Sequence, residues 1–343
     1  MEKLDIKDEK ILKLLKLDAL QTYKSIAKKV GLSKEVVRYR IHRLETQGAI
    51  DKHVLILNTK KFGYTGYKWY IELENTSEKK LQEIIQTLAS HPFCAWLTSC
   101  AGKWDLAAVF LAESPEEFRQ MTKEITALYA ANIRSTTFTI DLQVYHFQKD
   151  KKRSTKTPYL GKENTTLELN NKDILILTSF CEDPTISYVE LAKKTHLTMD
   201  IIRPRIKKLK EQGIIQGSRI HCNTEKLGLE SYKILLKTKS ATKEREKSFL
   251  TYLEYHKNVG DVILCLGNWD MEVNIEVRTS SDFQKMIQEQ KSKYSDIIQE
   301  YNTVQLFENH KYNFFPMGSA LIKSAYSTSV LAGDLEVNKT SKG

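Results

Sequence analysis

SKEVVRYRIHRLETQG, the stretch from Ser33 to Gly48, has the period of a helix with two unlike faces. At 3.6 residues per turn, Val37, Ile41 and Leu44 fall on one narrow apolar stripe, while Glu35, Arg38, Tyr39, His42, Arg43 and Thr46 point away from it. Ser33 is a good N-cap because its hydroxyl accepts from a first-turn amide. Gly48 is a good stop because glycine enters the left-handed region without a Cβ clash. Just upstream, YKSIAKKVGL (Tyr23 to Leu32) supplies a shorter amphipathic helix and a turn at Gly31. Two helices joined in this way can set the second into a DNA major groove.

The same pattern returns later in the chain. Thr22 to Ile50 aligned with Ser187 to Ile215 is identical at 12 of 29 positions, at an offset of 165 residues. NTKKFG (Asn58 to Gly63) recurs as NTEKLG (Asn223 to Gly228), and CAGKWD (Cys100 to Asp105) as CLGNWD (Cys265 to Asp270). So long a period marks a duplicated pair of domains rather than a solenoid.

Within the first half, Leu4 to Leu15 reads as an opening helix with Leu4, Ile11, Leu12 and Leu15 inward. AIDKHVLILNTKKFGY reads as strand and turn, a wing placed to lie beside the DNA backbone. The period then changes. YKWYIELE alternates as a strand, SEKKLQEIIQTLASH is helical with Leu81, Ile84, Ile85 and Leu88 inward, and CAWLTSC and DLAAVFLA are strands. SPEEFRQMTKEITALY is a helix opened by Ser114 and Pro115, with Glu117 completing a capping box, and STTFTIDLQVYHF closes the series as a strand. Strand, helix, strand, strand, helix, strand is the ferredoxin-like βαββαβ order. The expected architecture is therefore α+β, two winged helix-turn-helix domains alternating with two ferredoxin-like domains. Its boundaries are 1–58 and 59–148, a basic linker at 149–166, then 167–223, 224–315 and a poorly ordered tail at 316–343.

Such a sheet carries helices on one side only, and Asp105 to Ala112 is apolar on both. Its open face therefore predicts a covering sheet or subunit. The counterpart DMEVNIEV alternates apolar residues with Glu272, Asn274 and Glu276, which predicts a wetter face and unlike pairing of the two halves.

Composition narrows the function. The net charge of +10 over 343 residues favours polyanionic partners. No run of about twenty apolar residues occurs and the start, MEKLDIKDEK, is highly charged, so neither a membrane span nor a secretory signal is expected. Five cysteines (Cys94, Cys100, Cys181, Cys222, Cys265) without C-x-x-C spacing fit reduced thiols in a cytoplasmic protein. No histidine spacing suits a metal, and neither a phosphate-binding glycine loop nor an assembled catalytic site is recognisable. Neither cofactor nor enzymatic activity is expected.

LDIKDEKIL, SIAKKVGLS, VVRYRIHRLETQGAI and GKWD together resemble the Lrp/AsnC (feast/famine) transcriptional regulators, and the duplicated chain resembles an archaeal tandem form of them. That resemblance implies a winged helix-turn-helix joined to a ferredoxin-like effector domain of the RAM type, which pairs through its sheet and binds amino acids or related metabolites. Homo-oligomers and double-stranded DNA are the implied partners. DNA contacts would come from Ser33, Lys34, Glu35, Arg38, Tyr39, His42 and Arg43, and in the second half from Thr198, Met199, Asp200, Arg203, Lys207 and Lys208. The effector loops would be 98–105 and 262–270, with Thr98, Gly102, Lys103, Asp105, Gly267, Asn268 and Asp270 as contacts.

The chemistry of these residues suits DNA. Arg38 can present a donor pair to guanine, Ser33 and Lys34 sit where a helix N-terminus meets phosphate, and Tyr39 or His42 can reach bases. Arg40 and Arg205 lie nearer the apolar stripe, where an ion pair bracing the helix is the favoured role. Pro204 stands where the first half has Tyr39, removing a helical hydrogen bond and predicting a kink, and His196 replaces the turn glycine. For G-x-x-D in the effector loops, a ligand grip and a tight turn capped by aspartate weigh equally, and Trp104 and Trp269 read as core or interface aromatics. Two other functions stay open. The duplicated architecture also resembles the siroheme decarboxylases, which would need a basic, histidine-bearing pocket not recognisable in these loops, and the lysine content and basic linker suit an architectural DNA-coating protein.

Overall fold

The computed structural model describes residues 4–146, 167–318 and 320–321. The linker expected at 149–166 and nearly all of the expected tail lie outside them. Asp5 accepts the Asp8 amide while Asp8 accepts the Asp5 amide, a closed capping box that opens α1 (Ile6–Leu17). There follow α2 (Tyr23–Val30), α3 (Lys34–Thr46), β1 (Ile50–Leu57), β2 (Thr65–Leu73), α4 (Glu78–Ser90), β3 (Cys94–Ala101), β4 (Leu106–Ala112), α5 (Pro115–Leu128) and β5 (Ile133–His146). The second half repeats the order: α6 (Asn171–Glu182), α7 (Tyr188–Thr195), α8 (Met199–Glu211), β6 (Ile215–Cys222), β7 (Glu230–Thr238), α9 (Lys243–Tyr255), β8 (Val259–Gly267), β9 (Met271–Val277), α10 (Ser280–Tyr294) and β10 (Ile298–Tyr312). At α5, Ser114 caps as expected, but the Glu117 carboxylate accepts the Glu113 amide at 2.7 Å rather than closing a box on Ser114. The α8 helix runs through Pro204 as one continuous segment.

Each ferredoxin-like sheet has the order last, first, third, second strand, and the two sheets join at both edges. β5 pairs antiparallel with β8, and β10 with β3, closing an eight-stranded barrel. Pleating sorts the residues of β4. Leu106, Ala108, Phe110 and Ala112 pack in the same core as Ile84, Leu88 and Met121 of α4 and α5, while Ala107, Val109 and Leu111 belong to the core shared with Trp104 and Trp269. The cover expected over DLAAVFLA is thus the other half of the same chain.

The face expected to be wet is turned into this barrel. Glu272 is fully buried, and its carboxylate accepts from Lys68 at 2.6 Å, Lys233 at 2.7 Å, and Tyr70 and Trp269 at 3.0 Å each. Four donors replace the lost water, which is what makes a buried charge tolerable. Lys68 and Lys233 occupy equivalent places, 165 residues apart, so one carboxylate sits between two repeats of the same ammonium. Asp141, 3.2 Å from Lys68, supplies the second negative charge.

The wing also departs from expectation. β1 and β6 pair with each other, Ile50 opposite Cys222 and Leu57 opposite Ile215, in a two-stranded sheet that takes one strand from each half. Their apolar sides are exchanged. Ile220 and Cys222 enter the core of Ile11, Ile41 and Leu44, while Leu55 and Leu57 enter that of Leu177, Ile206 and Leu209. Neither helix-turn-helix core is completed by its own half. Met317, assigned to the tail, is fully buried, and joins Phe315 and Phe62 in the same core as the second helix-turn-helix. A tail that short and polar in composition still contributes wherever an apolar pair meets an open core edge.

Burial pushes the Glu272 carboxyl up, but Lys233 and Lys68 outweigh it and hold it at about 2. Its stabilisation is therefore complete above the ordinary glutamate pKa and lost as pH falls through about 2. Asp141 is raised instead, because burial and the Glu272 charge exceed the pull of Lys68. Glu272→Gln is expected to lower unfolding free energy by about 3–5 kcal/mol at pH 7, since it takes the paired carboxylate from buried Lys233 and leaves buried Lys68 with Asp141 alone. Denaturant titration should find that loss smaller near pH 2 than at pH 7.

Candidate nucleic-acid interface

α3 is held from below and bare above. Val37, Ile41 and Leu44 are buried to 2 % exposure or less. Ser33 caps the helix by accepting the Val36 amide at 3.2 Å, and Gly48, at φ +69°, turns the chain out of it. Gly31, at φ +67°, makes the turn from α2. Arg40 reaches down to Asp5 at 2.7 Å and Asp8 at 2.9 Å, the bracing role expected of it. The Asp8 amide and Arg40 hold the Asp5 carboxyl at about 2, so the brace persists across neutral pH.

Arg43 behaves differently from the DNA contact expected of it. Its guanidinium lies 2.6 Å from the buried Asp8 carboxylate, with the side chain 21 % exposed. It is a second bracing group, because its position on the helix brings it within reach of α1. Ser33, Lys34, Glu35, Arg38, Tyr39 and His42 are all exposed, Tyr39 at 66 %. Among the described residues, Arg38 and Tyr39 make no hydrogen bond or ion pair. With His42, whose ring lies 4.0 Å from Glu45, they form an outward row of a guanidinium, a phenol and an imidazole on one helix face.

The second reader repeats the frame and changes the face. Arg205 reaches Asn170 at 2.9 Å and Asp173 at 2.8 Å, which are the counterparts of Asp5 and Asp8. His196 takes the left-handed turn at φ +54°, a conformation that costs a non-glycine residue roughly 1–2 kcal/mol. Thr198 caps by position only, without a side-chain hydrogen bond. Thr198, Asp200, Arg203, Lys207 and Lys208 are exposed and Met199 is half-buried. Lys207 lies 3.7 Å from Glu211 along the helix.

The expected effector loops are the β3–β4 and β8–β9 turns. Gly102, Lys103, Gly267 and Asn268 lie exposed at their tips. Both glycines have positive φ, +128° and +148°, and a Cβ there would stand 3.2 Å from the Thr303 carbonyl or 2.8 Å from the Phe138 carbonyl. The aspartates serve the strands. Asp105 accepts the Leu73 amide at 2.7 Å, and Asp270 accepts the Thr238 amide at 2.8 Å and Lys237 at 2.8 Å. Burial raises the Asp270 carboxyl, but those bonds outweigh it and leave it below the usual range. Thr98 is fully buried in the barrel wall, donating to the Glu308 carbonyl at 2.9 Å. Trp104 and Trp269 are buried with ring centroids 5.6 Å apart, core aromatics as expected.

One polar group has no warning in the sequence. Arg219 of β6 lies 3.2 Å from Asp261 of β8 and bonds Tyr312 of β10, while His146 of β5 contacts the same Asp261. Burial raises the Asp261 carboxyl, yet Arg219 and His146 drive it well below the usual range. These residues come from four distant strands, so no spacing rule could find them. They join the wing sheet to the barrel. A second tie is Lys16 of α1, 2.7 Å from Glu276 of β9.

Residues 4–45 match the AsnC-type helix-turn-helix domain family, and residues 169–216 the winged helix-turn-helix DNA-binding family. Both matches are to DNA-binding helix-turn-helix families. An uncharacterized HTH-type transcriptional regulator of Pyrococcus furiosus is 33% identical over 121 residues, 35% of this chain and 80% of that protein. The HTH-type transcriptional regulator LrpA of Pyrococcus horikoshii is 33% identical over 114 residues, 33% of this chain and 79% of that one. The chain belongs to the Lrp/AsnC family of DNA-binding transcriptional regulators. Over its whole length it has the fold of the siroheme decarboxylase NirDL, with a TM-score of 0.57 at 14% identity, covering 94% of this chain and 99% of that one.

The brace and the reader separate in a simple comparison. Arg40→Ala is expected to lower unfolding free energy by about 1–3 kcal/mol, because Asp8 stays buried with a lost donor. Arg38→Ala should change it by no more than about 0.5 kcal/mol. Thermal unfolding of the two variants side by side checks this.

Proposed function

We propose that the chain is a sequence-specific regulator that reads duplex DNA through Arg38, Tyr39 and His42 of α3, with Ser33 and Lys34 at the phosphates. The observation that carries the reading is the exposed, outward row on a helix locked to α1 by two arginine braces. Base reading needs donors held in place before the DNA arrives, because each rotamer fixed on binding subtracts from affinity. Arg203, Lys207 and Lys208 on α8 offer phosphate contacts. The chain acts without catalysing a reaction. Its other partners are further copies of itself and an amino acid or related metabolite, held at the exposed Gly102–Lys103 and Gly267–Asn268 tips.

Selection from a random duplex pool tests this. The wild-type protein should hold its selected site at least about a thousandfold better than random DNA, which a DNA-coating protein would not. Arg38→Ala should weaken that site by roughly 1–3 kcal/mol and relax preference at one base pair. Equal loss on every sequence would count against base reading.

A second reading, a siroheme decarboxylase-like enzyme, draws on the whole-chain likeness to NirDL. Titration of the purified protein with siroheme separates the two: a regulator leaves the siroheme absorbance unchanged and yields no decarboxylated product.

A further inference from the structure

The two reading helices are held in one frame but carry unlike faces. Their backbones are matched: α3 and α8 are both 13 residues long, both end on a glutamine at the C-cap, and both are braced by an arginine at the same place. Three features fix one reader relative to the other. β1 is hydrogen-bonded to β6, the two helix-turn-helix cores exchange Ile220 and Cys222 for Leu55 and Leu57, and the sheets below close into one barrel. The two helices are therefore tied into one frame.

The outward residues do not match. Tyr39, 66 % exposed, is replaced by Pro204, which has neither a polar side-chain atom nor an amide hydrogen. His42, with its side chain 80 % exposed, is replaced by Lys207, a point charge without the directional donor and acceptor of an imidazole. The Ser33 hydroxyl accepts the Val36 amide, whereas Thr198 makes no such bond. Of the outward row only the arginine persists, as Arg203, flanked by Lys207 and Lys208. Apart from Arg203, such a face binds phosphate well and distinguishes bases poorly, because ammonium–phosphate attraction is the same on any sequence and the phenol and imidazole are gone.

We propose that one chain binds a directional, non-palindromic DNA site, in which α3 reads the bases of one half-site and α8 grips the backbone of the other. This rests on the base reading assigned above to α3. A twofold-symmetric dimer reads inverted repeats because its two helices are identical. Here the frame is nearly symmetric and the information is not, so the site has a head and a tail.

The test uses the full chain and the duplex selected from the random pool. Scrambling the half-site under α3 should weaken binding by at least about tenfold, and scrambling the other half by less than about threefold. A duplex carrying the read half twice, as an inverted repeat, should bind no more than about twofold tighter, the gain from two equivalent orientations. Pro204→Tyr combined with Lys207→His should give the second helix the missing groups and tighten binding to that inverted repeat by at least about tenfold. An inverted repeat selected by the wild-type chain would overturn the directional site while leaving base reading by α3 intact. So would an equal loss of base preference in Arg203→Ala and Arg38→Ala. Enrichment of no sequence at all would overturn the base reading itself, and this inference with it.

Discussion

The architecture turns on one carboxylate. Glu272 lies where two ferredoxin-like sheets face each other, and the repeat brings Lys68 and Lys233 to the same spot. Two ammonium groups in a buried, low-dielectric interior repel strongly. A negative charge between them turns that repulsion into the link across the barrel. Only the second half supplies it, because the equivalent residue in the first half is Ala107. Two first halves facing each other would bring lysine to lysine with only Asp141 beside each Lys68 and no carboxylate shared between the two ammonium groups. The asymmetry of the buried cluster therefore favours pairing of unlike halves.

Barrel closure sets the position of everything above it. β5 and β10 are long strands that run from the barrel toward the wing sheet, where His146 and Tyr312 meet Arg219. The wing sheet in turn carries apolar residues into the opposite helix-turn-helix core. Forces thus pass from sheet to joint to reader through contacts that are mostly buried, and such contacts are not free to slide. The helix-turn-helix units gain from this a fixed mutual placement that neither could provide alone.

Much of this was legible in the sequence, and the limits have physical causes. The stripe of Val37, Ile41 and Leu44, the caps at Ser33 and Ser114 and the strand order of the ferredoxin-like units follow from local periodicity and hydrogen-bond demand. DLAAVFLA, apolar on both faces, announced a covering sheet. Which sheet covers it depends on contacts some 165 residues away, and alternation alone makes DMEVNIEV look wet although its Glu272 is buried and accepts from four donors. Pairing of β1 with β6 was missed because a strand followed by a turn reads the same whether its partner is near or far. Arg43 was placed with the outward residues because helical angle alone cannot say how far a neighbouring helix reaches with Asp8.

The β1–β6 pairing within one chain has a kinetic meaning as well. When two readers belong to separate subunits, dilution separates them and occupancy rises with a power of concentration. Covalent continuity makes the meeting of the halves a first-order event, governed by a local effective concentration that dilution does not change. Occupancy of a site by one such molecule should then follow a simple hyperbola even at scarce copy number, so that the response is graded where an assembling dimer would give a threshold.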